Sequence, residues 1–79
     1  MITRLHKLRG GDRAVVREIC GSHVQRQCLG SHGLHPGDAV EVLRAGSLGG
    51  PVLIEIHGVE VALGRGQAEA VEVELPERP

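Results

Sequence analysis

The sequence predicts a mainly β domain: a small closed barrel of five short strands with one short α-helix inserted. Three observations carry this. Apolar residues recur at period two, as in Val52-x-Ile54-x-Ile56, Val59-x-Val61-x-Leu63 and Val71-x-Val73-x-Leu75, which is the pattern of half-buried strands. Glycine and proline corners, at Gly10-Gly11, Pro36-Gly37, Gly49-Gly50-Pro51 and His57-Gly58, divide the chain into short segments. Only the stretch from Ser22 to Gly33 carries both a start and a stop signal for a substantial helix.

Taken in order, Leu5 and Leu8 sit three apart on a short turn and tuck it against the core. Gly10-Gly11-Asp12 makes a corner. Arg13 to Cys20 is the first strand. Ala14 and Val16 share a face, but Ile19 is out of step, and a β-bulge near Arg17-Glu18 restores the register. Ser22 is an N-cap, and Gln25 three residues on completes a capping box. Val24, Cys28 and Leu29 form the apolar stripe of a helix over Ser22–His32, with Arg26 and Gln27 in water. Gly33 supplies the left-handed stop, and Leu34 folds back on the last turn.

Pro36-Gly37 signals a type II turn. Asp38 to Arg44 is the second strand, with Val40 and Val42 inward. Ala45 to Gly50 is a loop. Pro51 to His57 is the third strand, and His57-Gly58 is a two-residue hairpin turn into the fourth. Gly64-Arg65-Gly66 breaks that strand. Gln67 to Ala70 makes a single helical turn, and Val71 to Leu75 is the fifth strand, with Glu72 and Glu74 outward. Closure into a barrel hides most of the edges that a lone five-stranded sheet would expose.

At 79 residues the chain is one domain, residues 1–79, with 76–79 a frayed tail. A chain this short buries only about 60–65% of its unfolded surface, so the core is thin. Phe, Tyr and Trp are absent, and the core is left to Val, Leu, Ile and Ala. The same absence removes aromatic-walled proline-peptide grooves and stacking platforms for single-stranded nucleic acid. The net charge of −1 gives no general nucleic-acid footprint. Neither glycine-rich turn is a phosphate cradle, because strand and not helix follows the glycines. No apolar run reaches membrane-spanning length and no signal peptide is visible, so a cytoplasmic location is expected, with Cys20 and Cys28 as reduced thiols.

Few residues carry chemistry. Cys20-x-x-His23-x-x-x-x-Cys28-x-x-x-His32 places two thiols and two imidazoles within thirteen residues, ligand types that suit zinc. The plainer reading of the same residues is that Cys28 fills core space and Cys20 ends a strand. His6, His35 and His57 read as solvated surface residues. A ferrous site would favour histidine with carboxylates, and Glu55 and Glu60 flank the His57 hairpin. No Ser-His-Asp arrangement or acid–base dyad is evident, so no enzyme is expected. Leu48-Gly49-Gly50-Pro51 reads as a structural corner or as an exposed partner-binding loop anchored by Leu48.

The ordered set of Leu5-x-x-Leu8-x-x-Gly11-Asp12, Ala14-x-Val16-x-x-Ile19, Gln25-Arg26-Gln27-Cys28-Leu29, Gly33-Leu34-x-Pro36-Gly37-x-x-Val40-x-Val42, Ser47-Leu48-Gly49-Gly50-Pro51, Val61-Ala62-Leu63 and Ala68 with Val71-Glu72-Val73-Glu74 resembles the ferrous iron transport protein A (FeoA) family over nearly the whole chain. The resemblance implies an SH3-like barrel with an inserted helix. It implies a cytosolic accessory role in ferrous iron uptake, exercised on the GTPase domain of the FeoB-type membrane transporter. Read from the residues themselves, no cofactor is expected to be required, and Fe2+ or Zn2+ is the transition metal ion their ligand types would suit. The alternative that the resemblance offers is a stand-alone metal-sensing or corepressor-like barrel, since the same barrel resembles the C-terminal domain of iron-dependent repressors. Three positions depart from the family pattern. Gly10 stands where proline is frequent, and Gly64 and Gly66 where polar or basic residues are. His32 stands where Leu or Met is expected, which puts an ionisable ring beside the helix's core stripe.

Overall fold

A computed structural model describes residues 1–45 and 49–76. Six strands form one antiparallel sheet: β1 (Ile2–Arg4), β2 (Arg13–Ile19), β3 (Ala39–Ala45), β4 (Val52–Ile56), β5 (Val59–Leu63) and β6 (Val71–Glu74). Helix α1 spans His23–Ser31, helix α2 spans Arg65–Glu69, and a 3₁₀ turn covers Leu5–Lys7. The mainly β class and the five expected strands are present. The sixth, β1, was not anticipated. It pairs with β6 in the register Ile2↔Glu74, Thr3↔Val73 and Arg4↔Glu72.

The strand order is β1-β6-β2-β3-β4-β5. The expected small SH3-like barrel is the fold observed; among the described residues no ladder joins β5 back to β1, so the barrel-like sheet keeps two edges. The reason lies in the chain after Leu63. It leaves β5 through Gly64 and turns into α2, which packs against the 3₁₀ turn and β6. A helix, not a hydrogen-bonded ladder, fills that side.

The inner face is aliphatic throughout. Val16, Val42, Ile54, Leu63, Val71 and Val73 are fully buried, as are Leu5, Leu29 and Leu34 from the turns and α1. No polar or charged residue is buried among those described. Alternation fails at two places, and bulges account for both. The β2–β6 register shifts between Val16 and Glu18, which turns Ile19 inward as the sequence requires. A second shift, between Val42 and Arg44, offsets β3 against β4.

Helix α1 has the expected caps. The Gln25 N–H donates to Ser22 Oγ at 3.1 Å, and the Ser22 N–H donates to Gln25 Oε1 at 3.1 Å. At the other end Gly33 has φ +91°. The Leu34 N–H reaches the Leu29 carbonyl at 3.1 Å and the Gly33 N–H reaches the Gly30 carbonyl at 3.0 Å. This pair of bonds is a Schellman stop, and it needs a residue without a Cβ at Gly33. The apolar stripe is narrower than the spacing suggests. Leu29 is fully buried and Cys28 half-buried, but Val24 is 73% exposed. In a helix of nine residues, Val24 lies in the first turn, before the axis has carried that face onto the sheet.

Two further corners match expectation, while α2 begins at Arg65 rather than at Gln67. The Asp38 N–H donates to the His35 carbonyl at 3.1 Å across Pro36-Gly37, with Gly37 at φ +96°. His57 and Gly58 both have positive φ, +52° and +79°, as a type I′ hairpin turn requires. His57 is the one described non-glycine residue in that region. Of the expected frayed tail only Pro76 lies within the described residues.

Candidate functional site

The four residues with zinc-like spacing separate in space. Cys20 follows the end of β2, and His23 opens α1 on its exposed side. His32 is the C-cap residue and points to solvent, so it is not beside the core stripe. A polar ring at a helix end reaches water more readily than the interior. Cys28 has a partner that the sequence did not suggest. The Gln67 side chain accepts the Gly64 N–H at Oε1, 3.0 Å away, and donates from Nε2 to Cys28 Sγ at 3.3 Å. One amide thereby starts α2 and ties it to α1. Neither cysteine is in a disulfide.

Among the described residues, one set of three potential ligands has its donor atoms within 4.8 Å of one another: Glu18, Cys20 and Glu72. It contains only one member of the Cys20-His23-Cys28-His32 array. Glu72 also faces Arg17, whose Nε lies 3.7 Å from its carboxylate, while Arg17 Nη1 lies 3.9 Å from Glu74. The bulge between Val16 and Glu18 turns Arg17 toward both.

Two histidines, His35 and His57, are exposed as expected and also converge on one carboxylate. Asp38 opens the Pro36-Gly37 corner into β3. Its Oδ2 accepts the His35 N–H at 2.9 Å and lies 3.7 Å from His35 Nδ1. Its Oδ1 lies 3.4 Å from His57 Nε2, on the β4–β5 hairpin. The His35–Asp38 contact is local and follows the turn. The His57 contact joins two corners 19 residues apart, and nothing in the sequence's spacing signals it. Glu55 and Glu60 do not join His57. They oppose each other across β4 and β5, on the outer face.

The loop expected to meet a partner is described from Gly49 onward; Leu48 lies outside the described residues. Gly49 has φ +81°, and a Cβ there would stand 3.0 Å from Arg65 Nη1. The backbone conformation therefore favours glycine, and the flexible, half-exposed Arg65 guanidinium lies beside it. Gly49 and Gly50 line a cavity of about 70 Å³ with His6, Val52 and Arg65, so the loop is at least a structural corner. Pro51 is exposed.

A shallow groove of about 520 Å³ is lined by Met1, Arg13, Val15, Ala39, Glu74 and Leu75, where β2, β3 and β6 meet the chain's first residue. Register sets Glu74, Val15 and Ala39 of this lining side by side, with Ile2 next to them outside it. Ile2 opposes Glu74, Glu74 opposes Val15 and Val15 opposes Ala39, so the four form one outward row. Ile2 and Val15 are 51% and 44% exposed. No described helix is long and apolar enough to cross a membrane.

The family model for the FeoA domain matches residues 3–75. The chain belongs to the FeoA family. FeoA domains are accessory domains of ferrous iron transport. The crystal structure of an iron uptake regulatory protein (FeoA) is 40% identical, with a TM-score of 0.85, covering 94% of this chain and 96% of that one. The solution structure of the FeoA protein from Chlorobium tepidum is 32% identical, with a TM-score of 0.82, over 92% of this chain and 70% of that one. A manganese-dependent transcriptional repressor shares the fold at 24% identity and a TM-score of 0.88; this chain covers 95% of itself and 42% of the repressor. No match to a curated protein was found by sequence comparison. The SH3-like fold implied by the ordered motifs is thus the fold observed.

Proposed function

We propose that this FeoA-family protein is a non-enzymatic accessory regulator of ferrous iron uptake. It acts in the cytoplasm by binding the GTPase domain of a FeoB-type transporter. The observation that carries the reading is the family match over residues 3–75, which takes in both helices and all six strands apart from Ile2 of β1. The family's role in iron transport therefore attaches to the barrel itself. The surface supports a binding module. The outer groove is flanked by exposed Met1, Ile2 and Val15, and clustered exposed apolar residues favour protein contact. Iron is cargo of the transporter in this reading, and the barrel requires no resident cofactor.

The loop Leu48-Gly49-Gly50-Pro51 is the proposed contact. The test is retention of the purified GTPase domain on immobilised protein, with and without Fe2+. Wild type is expected to retain it, and Leu48→Glu to retain markedly less while keeping the wild-type circular dichroism spectrum. Failure of wild type to retain the domain under either condition would sink the reading. A metal-sensing or corepressor-like barrel is the second reading, favoured only by the shared fold with the repressor. It predicts capture of a DNA-binding protein instead.

A further inference from the structure

We infer that His35, Asp38 and His57 form a binding site for a divalent first-row transition-metal ion, which pins the corner before β3 to the β4–β5 hairpin. The inference stands apart from the transporter reading. Either can fail alone.

The donors are of the right kind. Two imidazoles and one carboxylate suit zinc, cobalt and ferrous iron, leaving positions for water. The carboxylate is already oriented. Asp38 is 21% exposed at the side chain, and the His35 N–H holds Oδ2 at 2.9 Å, which leaves Oδ1 facing His57. The spacing is close to a chelating bite. Two donors bonded to one cation at about 2.0–2.2 Å stand about 3.0–3.5 Å apart. His57 Nε2 lies 3.4 Å from Oδ1, and His35 Nδ1 lies 3.7 Å from Oδ2.

The three donors do not yet meet within 4.8 Å of one another, unlike Glu18, Cys20 and Glu72. Both rings have side chains 65% exposed, so modest rotation draws them onto one ion. The Glu18–Cys20–Glu72 set is tighter but carries less, because Arg17 already stands against Glu72 at 3.7 Å and a cation would have to displace it. Around Asp38 the groups that face the carboxylate are imidazoles, which become ligands when neutral. The His35 Nε2 lies on the side of Gly30 in α1, where glycine leaves the ring room to turn, while Nδ1 is directed to Asp38.

Titration of the full chain with Zn2+ by calorimetry, and with Co2+ by visible absorption, tests the site. One ion per chain is expected. His57→Asn and Asp38→Asn are each expected to weaken Zn2+ binding about tenfold or more, the scale seen even for losses around a metal's ligands. Asn suits position 57 because it tolerates positive φ, and Asn at 38 keeps an acceptor for the His35 N–H. The Cys20→Ser/Cys28→Ser double variant is expected to bind as wild type does. Shifts of the His35 and His57 ring-proton resonances on adding Zn2+ to wild type give a second measure that needs no variant. Absence of binding at millimolar Zn2+, binding unchanged in His57→Asn, or loss of binding in the cysteine variant would each overturn the assignment.

Discussion

Ser22 starts α1 with one hydroxyl. Its Oγ accepts the Gln25 N–H and its own N–H reaches the Gln25 amide, so two donors that the helix cannot satisfy internally find partners. Ser22→Ala is expected to cost about 1 kcal/mol in urea denaturation. A domain of this size should then melt about 4–8 °C lower. Features of this kind were legible because partner and signal lie within three residues. The same holds for the Gly33 stop and the Pro36-Gly37 corner. His57 was not legible. Its ring meets Asp38 only because β3, β4 and β5 lie side by side, and that neighbourhood belongs to the sheet. Val24 and His32 were misplaced for a related reason. Helical spacing says which residues share a face, but not how far along a short helix the sheet extends beneath it.

Strands show the same division between local and distant information. The bulge in β2 was readable because Ile19 breaks the step set by Ala14 and Val16. The strand β1 was not, since Ile2–Arg4 is too short to show alternation and is a strand only by virtue of β6. Its contribution is testable. Besides the three register pairs, the Leu75 N–H donates to the Met1 carbonyl at 2.8 Å and the Met1 amine donates to the Leu75 carbonyl at 3.1 Å. Removing residues 1–4 turns β6 into an edge and exposes the inner side of the sheet beside Val73. The expected outcome is a cooperative domain whose melting temperature falls by about 10 °C or more, equivalent to a few kcal/mol. Calorimetry reads it directly. An unchanged melting temperature would mean that β6 holds its place through β2, α2 and the 3₁₀ turn.

At the scale of the molecule, the open end of the sheet at β5 invites other molecules. Its outer face carries Glu60 opposite Glu55, which in turn opposes Glu41. Like charges set directly across strands weaken a sheet by about 0.2–1 kcal/mol each. Within one molecule the row is a loss, relieved at one end by Arg13 at 3.3 Å from Glu41. Between molecules it is a guard. Val59 is 60% exposed on that edge, and an apolar edge with free N–H and C=O groups is a template for further strands. Glu60→Val is therefore expected to raise the urea midpoint slightly and yet to promote filament growth, read by light scattering at high protein concentration. The protein gives up a little folding stability at β5 and gains colloidal solubility in return.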